Sequence, residues 1–179
     1  MTTAIRFAYQ DYLQLPEDRR YEIVDGDLFM VPAPGPYHQR VSRNLEYHLH
    51  RFVTERDLGK ILHAPYDVVL SETDVVQPDI LFITKPRLSI VTETNIQSAP
   101  DLIVEILSPA TAQRDRGVKQ KLYARVGVAE YWIVDLATKS VEVLTLKAGT
   151  FQVAWRYGPQ DTLVSPLLPG LAIPLPQVF

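Results

Sequence analysis

The sequence predicts an α/β fold: a mixed β-sheet flanked by helices, preceded by an N-terminal helix and a β-hairpin. Two observations carry this expectation. Asp25-Gly26-Asp27 separates two short apolar runs, the strongest local signal for a tight hairpin. Beyond it, strand-length apolar runs at 78–83, 101–107 and 131–135 alternate with helical patterns, an order that suits helices packed on a mixed sheet.

Taken in order, an opening helix is expected over 9–15, ended by Pro16, whose ring cannot continue it. Segments 21–24 and 28–31 form the hairpin, because Asp-Gly readily takes the positive φ of a two-residue turn. Pro32, Pro34 and Pro36 mark a loop. Over 37–56, Val41, Leu45, Leu49, Phe52 and Val53 recur at helical spacing, and Gly59 closes the helix. Short strands are expected at 61–63 and 67–70, then a buried strand at 78–83. Residues 101–107 are apolar on both faces, as a central strand must be. Ser108-Pro109 opens a helix that runs to Val126 and stops at Gly127. Strands at 131–135 and 141–146 join through a polar turn at 138–140, and 151–157 reads as the last strand. From Gly158 on, Pro159, Pro166, Pro169, Pro174 and Pro176 predict an extended surface arm over 158–179. Nothing resembles a linker or a repeat, so 1–179 reads as one domain.

The 179 residues suffice for a sizeable core, and a composition 46% hydrophobic and 22% charged argues against disorder. With no cysteine, neither a disulfide framework nor a thiolate metal site is possible. Residues 1–6 lack the apolar stretch of a signal peptide, and no apolar run approaches the ~20 residues that span a bilayer. A cytoplasmic location is expected. The net charge of −3, from 18 basic and 21 acidic side chains, weighs against a module held to nucleic acid by a broad positive face. It is compatible with a nucleic-acid enzyme whose acidic metal site lowers the total. Arg114, Arg116, Lys119, Lys121 and Arg125 stand against Asp115 alone, a local charge of +4. A phosphate-guiding patch and a solvated helix face are both open readings of that stretch.

Glu105 is the most informative residue. Its neighbours on the same strand face, Ile103 and Leu107, are apolar, and Leu102, Val104 and Ile106 cover the other face. An ionised carboxylate there is costly unless it is paired, protonated or bound to a metal, and the plainest partner is a basic side chain. Asp79 adds to the metal reading, because it heads the next strand behind Pro78, where a turn-capping role is the alternative. Two carboxylates at the ends of neighbouring strands can share one hard cation such as Mg²⁺. Asp101 cannot replace Asp79, since four residues of strand put it about 13 Å from Glu105. On the following helix, steps of about 100° place Val118, Leu122 and Val126 on one stripe with Asp115 inside it. Lys119 lies at the edge of that stripe, with Tyr123 on its flank, and Lys121 points to solvent.

Gln77-Pro78-Asp79 followed by Val104-Glu105-Ile106-Leu107 resembles the PD-(D/E)xK nuclease superfamily, which has the restriction-endonuclease-like fold. The longer string is similar to the Uma-type family of restriction endonucleases. It comprises the run from Ala99 to Pro109, Asp115-Arg116-Gly117-Val118-Lys119, Tyr123, and the run from Gly127 to Asp135. The segment from Tyr21 to Gly26 and His38-Gln39 fit the same pattern. The resemblance implies metal-dependent hydrolysis of DNA phosphodiesters, with Asp79 and Glu105 as ligands of Mg²⁺ or Mn²⁺ and the Ile106 carbonyl as a further one. It also implies Lys119 as the group that positions or deprotonates the attacking water, and Glu22 as an acidic complement. The superfamily's usual lysine, two positions after the strand carboxylate, is Leu107 here, and the Uma-type pattern supplies Lys119 from the helix instead.

Glu22 has an exposed hairpin position as its alternative, and His38, on the inward stripe of its helix, a hydrogen-bonded core role. Gln77 and Tyr123 are secondary candidates, and Arg114, Arg116 and Lys121 are the candidate DNA contacts. Two rivals stand beside the nuclease. One is a nuclease-fold DNA-binding or regulatory protein that cleaves nothing, and the other is a structural homo-oligomer with a salt-bridged acidic pair. A homodimer is the expected assembly, since cutting two strands needs two sites.

Overall fold

The computed structural model describes residues 5–179; residues 1–4, part of the stretch read above as lacking a signal peptide, lie outside it. The chain opens with one short turn of helix, α1 (Tyr9–Tyr12), and a hairpin of β1 (Arg20–Val24) and β2 (Asp27–Val31). Asp25 and Gly26 both take positive φ, 51° and 77°, so the two-residue turn matches the right-handed twist of its strands. The long helix α2 (Pro36–Glu55) buries Val41, Leu45, Leu49, Phe52 and Val53, the stripe its periodicity predicts. It passes into β3 (Gly59–His63) through Gly59 at φ 153°, where a Cβ would stand 2.0 Å from the Ile83 carbonyl oxygen. Only glycine fits so close an approach.

Then follow β4 (Val68–Ser71), β5 (Asp74–Val76), β6 (Ile80–Thr84), β7 (Ile96–Gln97) and β8 (Leu102–Ile106). After β8 comes a composite helix: α3 (Ala112–Arg114), a π-helical segment (Asp115–Lys119) and α4 (Gln120–Arg125). Next are β9 (Glu130–Asp135), β10 (Ser140–Lys147), β11 (Thr150–Tyr157), β12 (Thr162–Val164) and β13 (Ala172–Pro174). Six strands form one mixed sheet, ordered β11-β10-β9-β8-β6-β3, in which β8 runs parallel to β9 and antiparallel to β6. A second sheet is ordered β2-β1-β5-β4-β7.

All five residues of β8 are buried, and they alternate between two cores. Leu102, Val104 and Ile106 pack with the α2 stripe, whereas Ile103 and the following Leu107 join Leu122 and Tyr123 of α4 and Val68 and Val76 of the second sheet. Both faces are thus covered, as the uninterrupted apolar sequence requires. No helix among the described residues is long and apolar enough to cross a membrane.

Four expectations need correction. The opening helix ends at Tyr12, and β5 and β7 were not foreseen, being only three and two residues long. The helix after β8 is not uniformly α-helical, and Val118 is 42% exposed while Asp115, Lys119, Leu122 and Tyr123 are buried. The wider π turn rotates Val118 out of the stripe. The segment 158–179 is not a surface arm. Leu163, Leu168, Leu171, Ile173, Leu175 and Val178 are buried in the α2 core, and β12 pairs with β13. The prolines suppress long regular ladders, but the apolar residues between them still have a core to fill. Glu130 ties the segment down, accepting hydrogen bonds from Trp132 Nε1 (2.7 Å), Ser165 Oγ (2.6 Å) and the Leu167 N–H (2.9 Å).

Candidate active site

The antiparallel register pairs Ile80 of β6 with Val104 of β8, so the residue before β6, Asp79, comes opposite Glu105. Opposed residues share a face of the sheet. Asp79 Oδ2 accepts the Ile106 N–H at 2.8 Å and lies 3.3 Å from His38 Nε2. The same imidazole nitrogen is 3.1 Å from the Ile106 carbonyl oxygen. Two acceptors around Nε2 place the proton on that nitrogen, which leaves the buried Nδ1 without a partner among the described residues. His38 thus reaches from the first turn of α2 to the mouth of the site and is not packed away in the core.

Glu105 Oε1 receives the Tyr123 hydroxyl at 2.7 Å and lies 2.5 Å from Lys119 Nζ. The ammonium also donates to Glu22 Oε1 at 2.9 Å and stands 3.6 Å from Asp115 Oδ1. Glu22 is 1% exposed, which removes its reading as an exposed hairpin residue. The Gln77 N–H donates to its Oε1 at 2.9 Å, and Arg114 Nη2 is 3.4 Å from its Oε2. The Gln77 side chain is itself clamped. It accepts from Arg20 Nε at 2.7 Å and donates to Asp67 Oδ1 at 2.7 Å and to the Tyr12 hydroxyl at 3.2 Å.

The structure therefore gathers Asp79, Glu105, Lys119, Glu22, the Ile106 carbonyl, His38, Gln77 and Tyr123. It does not make one face of the three candidate DNA contacts. Arg114 turns inward, over the Phe29 ring at 4.9 Å, Arg116 pairs with Glu142 at 2.6 Å, and Lys121 is exposed. Arg125 is bound to Asp25 (2.7 Å) and Asp74 (3.1 Å). The basic stretch is largely neutralised by acids that the sequence places far away. Sequence reasoning gave no role to Asp115, although a carboxylate inside an apolar stripe was a signal. Arg20 and Asp67 carried no signal of that kind. Asp101, dismissed as a partner of Glu105, instead holds Arg87 Nη1 at 2.6 Å and caps the Thr84 N–H at 2.8 Å. Leu107 packs in the core, and Lys119 supplies the ammonium beside Glu105.

Four carboxylates, those of Glu22, Asp79, Glu105 and Asp115, share this corner with two permanent cations, Lys119 and Arg114. Burial pushes the Glu105 carboxyl up; Lys119 opposes the rise, while Asp115, Asp79 and Glu22 reinforce it, and the result is about 8. Burial raises Asp115 as well. Burial acts the same way on Glu22, but Lys119, the Gln77 N–H and Arg114 outweigh it and hold this carboxyl below its ordinary value. For Lys119, burial is overcome by Glu105, Glu22 and Asp115, so the ammonium is held charged. His38 is likewise raised, with Asp79 and the Ile106 carbonyl outweighing its burial.

A buried corner with surplus negative charge suits a divalent cation. Glu22 Oε2 and Asp115 Oδ1 are buried without a hydrogen-bond partner among the described residues. Asp79 Oδ2 and the Ile106 carbonyl already converge on one point, the one His38 Nε2 now takes. No three His, Asp or Glu side chains form a ready-made ion cage among the described residues. Two carboxylates and a main-chain oxygen are nevertheless the donor types taken by an ion that keeps several of its waters. These groups sit in a cleft of about 670 Å³ at the carboxyl ends of β8 and β9, walled by residues 31–37, 106–112 and 135–137.

A mixed sheet flanked by helices, with β8 between antiparallel β6 and parallel β9, is an α/β arrangement of the restriction-endonuclease-like fold. The chain belongs to the Uma2 family, described as putative restriction endonucleases, whose model matches residues 9–176. It is 27% identical over 139 residues to the uncharacterized protein slr1290 of Synechocystis sp. PCC 6803, a match covering 75% of this chain and 70% of that one. Its fold is shared with the crystal structure of a putative nuclease belonging to DUF820 from Anabaena variabilis. There the TM-score is 0.80 at 19% identity, over 97% of each chain.

Proposed function

We propose that this protein is a Mg²⁺- or Mn²⁺-dependent endonuclease that hydrolyses DNA phosphodiester bonds. What supports the reading is that Asp79, the residue before β6, falls opposite Glu105 of β8 when the antiparallel register is extended by one, with Lys119 Nζ 2.5 Å from Glu105. Asp79, Glu105 and the Ile106 carbonyl would hold the ion. Such an ion, when bound, lowers the pKa of a coordinated water and offsets charge on the phosphate.

The rest of the work falls to the chain itself. Three carboxylates keep Lys119 protonated, so it serves as a fixed positive charge that orients the water and the phosphate and does not serve as a base. Glu22 and Asp115 hold that ammonium in place, and Tyr123 fixes the rotation of the Glu105 carboxylate. The proposed assembly is a homodimer.

The test is plasmid nicking by purified protein. Nicking is expected with Mg²⁺ or Mn²⁺, none with EDTA or Ca²⁺, and none from folded Glu105→Gln protein. DNA binding without cleavage under every metal tried would instead leave a nuclease-fold binding protein.

A further inference from the structure

We propose that the cleft receives an unpaired stretch of DNA, with one base inserted against its wall, in preference to intact duplex; this rests on the nuclease reading above. Three observations converge. The first is depth. Glu105 is 5% exposed and Lys119 2%, so a phosphodiester must enter the cleft to meet them. Duplex DNA is stiff over about 150 base pairs and holds its phosphates on a convex rim, whereas a single strand bends at each nucleotide.

The second observation is the makeup of the lining. The polar groups of the site share the lining with apolar Pro32, Pro34, Tyr37, Pro109 and Leu136. A duplex buries the faces of its bases and offers the protein charged backbone and polar groove edges, for which an apolar wall has no use. An unpaired nucleotide presents a base face that stacks on such surfaces. At about 670 Å³ the cleft has the size of a small-molecule site, with room for a nucleotide and its flanking phosphates.

The third observation is charge. Duplex binding draws on free cations laid along both strands. The cations that line the cleft are engaged, Lys119 by Glu105 and Glu22, Arg114 by Glu22, and Arg20 by Gln77. The cleft lining therefore offers a duplex backbone little unengaged positive charge, and stacking has to supply the affinity.

The experiment is fluorescence anisotropy on the full chain with Ca²⁺, which occupies hard oxygen sites without supporting hydrolysis. One labelled sequence is presented as a single strand, as perfect duplex, as duplex with a central unpaired loop, and as RNA. The single strand and the looped duplex should bind at least about tenfold more tightly than the perfect duplex at the same salt, the scale of one lost base stack. Tyr37→Ala removes a wall group, but Tyr37 also packs on the core, so Ala137→Glu serves as the second variant. Ala137 is an exposed turn residue on the rim. Its substitution should weaken single-strand binding about tenfold and leave duplex binding unchanged. Equal or tighter binding of perfect duplex, uniform weakening of every DNA by Ala137→Glu, or preference for the RNA strand overturns the inference alone. Failure to bind any DNA overturns the nuclease reading together with it.

Discussion

Lys119→Met removes one positive charge at nearly constant volume from the most crowded point of the site. In the native protein the ammonium is 2% exposed and faces Glu105, Glu22 and Asp115 at 2.5, 2.9 and 3.6 Å. Without it, three buried carboxylates face only Arg114, 3.4 Å from Glu22. Removing one member of a buried pair typically costs about 3–5 kcal/mol, against a total stability of about 5–15 kcal/mol.

The deficit should depend on pH with a definite sign. Glu22 in the parent titrates below its ordinary value of 4.5, so its contribution is full above that pH and is lost as pH falls through the folded value. In the variant, burial is no longer opposed by the ammonium and raises Glu22, so its contribution is lost as pH rises. Glu105, already raised to about 8 in the parent, costs both proteins alike below that pH. The gap between the two proteins should be widest at pH 8 and close on acidification toward pH 5. Urea unfolding at both pH values measures it, with exposed Lys121→Ala as a control expected within about 0.5 kcal/mol of the parent. A deficit under about 1 kcal/mol at pH 8, the scale of solvent-screened pairs, would refute the account of a desolvated cluster. So would a deficit that does not shrink at low pH. In cleavage, the folded variant should be slower by about 10²–10⁴-fold, and Lys121→Ala close to the parent.

Because Nε2 of His38 donates toward Asp79 and the Ile106 carbonyl, His38→Ala frees both oxygens. Mn²⁺ affinity, read by electron paramagnetic resonance, should stay level or rise, and a weakening of tenfold or more would make His38 a ligand. Glu130→Gln turns an amide N–H against the Leu167 N–H, leaving a buried donor unmatched where the C-terminal segment docks. It should lose about 1–3 kcal/mol in urea unfolding, and no loss would mean that the segment is held by apolar burial alone.

Much of this fold was legible because its signals are local. The α2 stripe follows from a 3.6-residue period, the first hairpin from Asp25-Gly26, and the central place of β8 from apolar residues on both its faces. The isolated carboxylate at Glu105 pointed to the site for the same reason, since no local partner could balance it. Lys119 lies inward and Lys121 outward, although Val118, which the helical period puts in the same stripe, is exposed. Asp115 and Lys119 are four residues apart, and both stay on the buried side of the helix through the π turn.

What the sequence determined alone, then, was the first hairpin, the long helix α2 and the central strands, and that a charge buried at Glu105 had to be answered. The tertiary structure decided what answers it. Glu22 and Lys119 meet across 97 residues of chain, and only the packing of the second sheet against the helix after β8 makes them neighbours. The fates of the basic stretch and of the proline-containing C-terminal segment were decided in the same way. Arg116, Arg125 and the buried leucines of 158–179 each found partners on other elements. Periodicity reports which face of an element is apolar. It carries no information about which distant surface that face will meet, because that depends on the joint packing of elements that are separate in sequence.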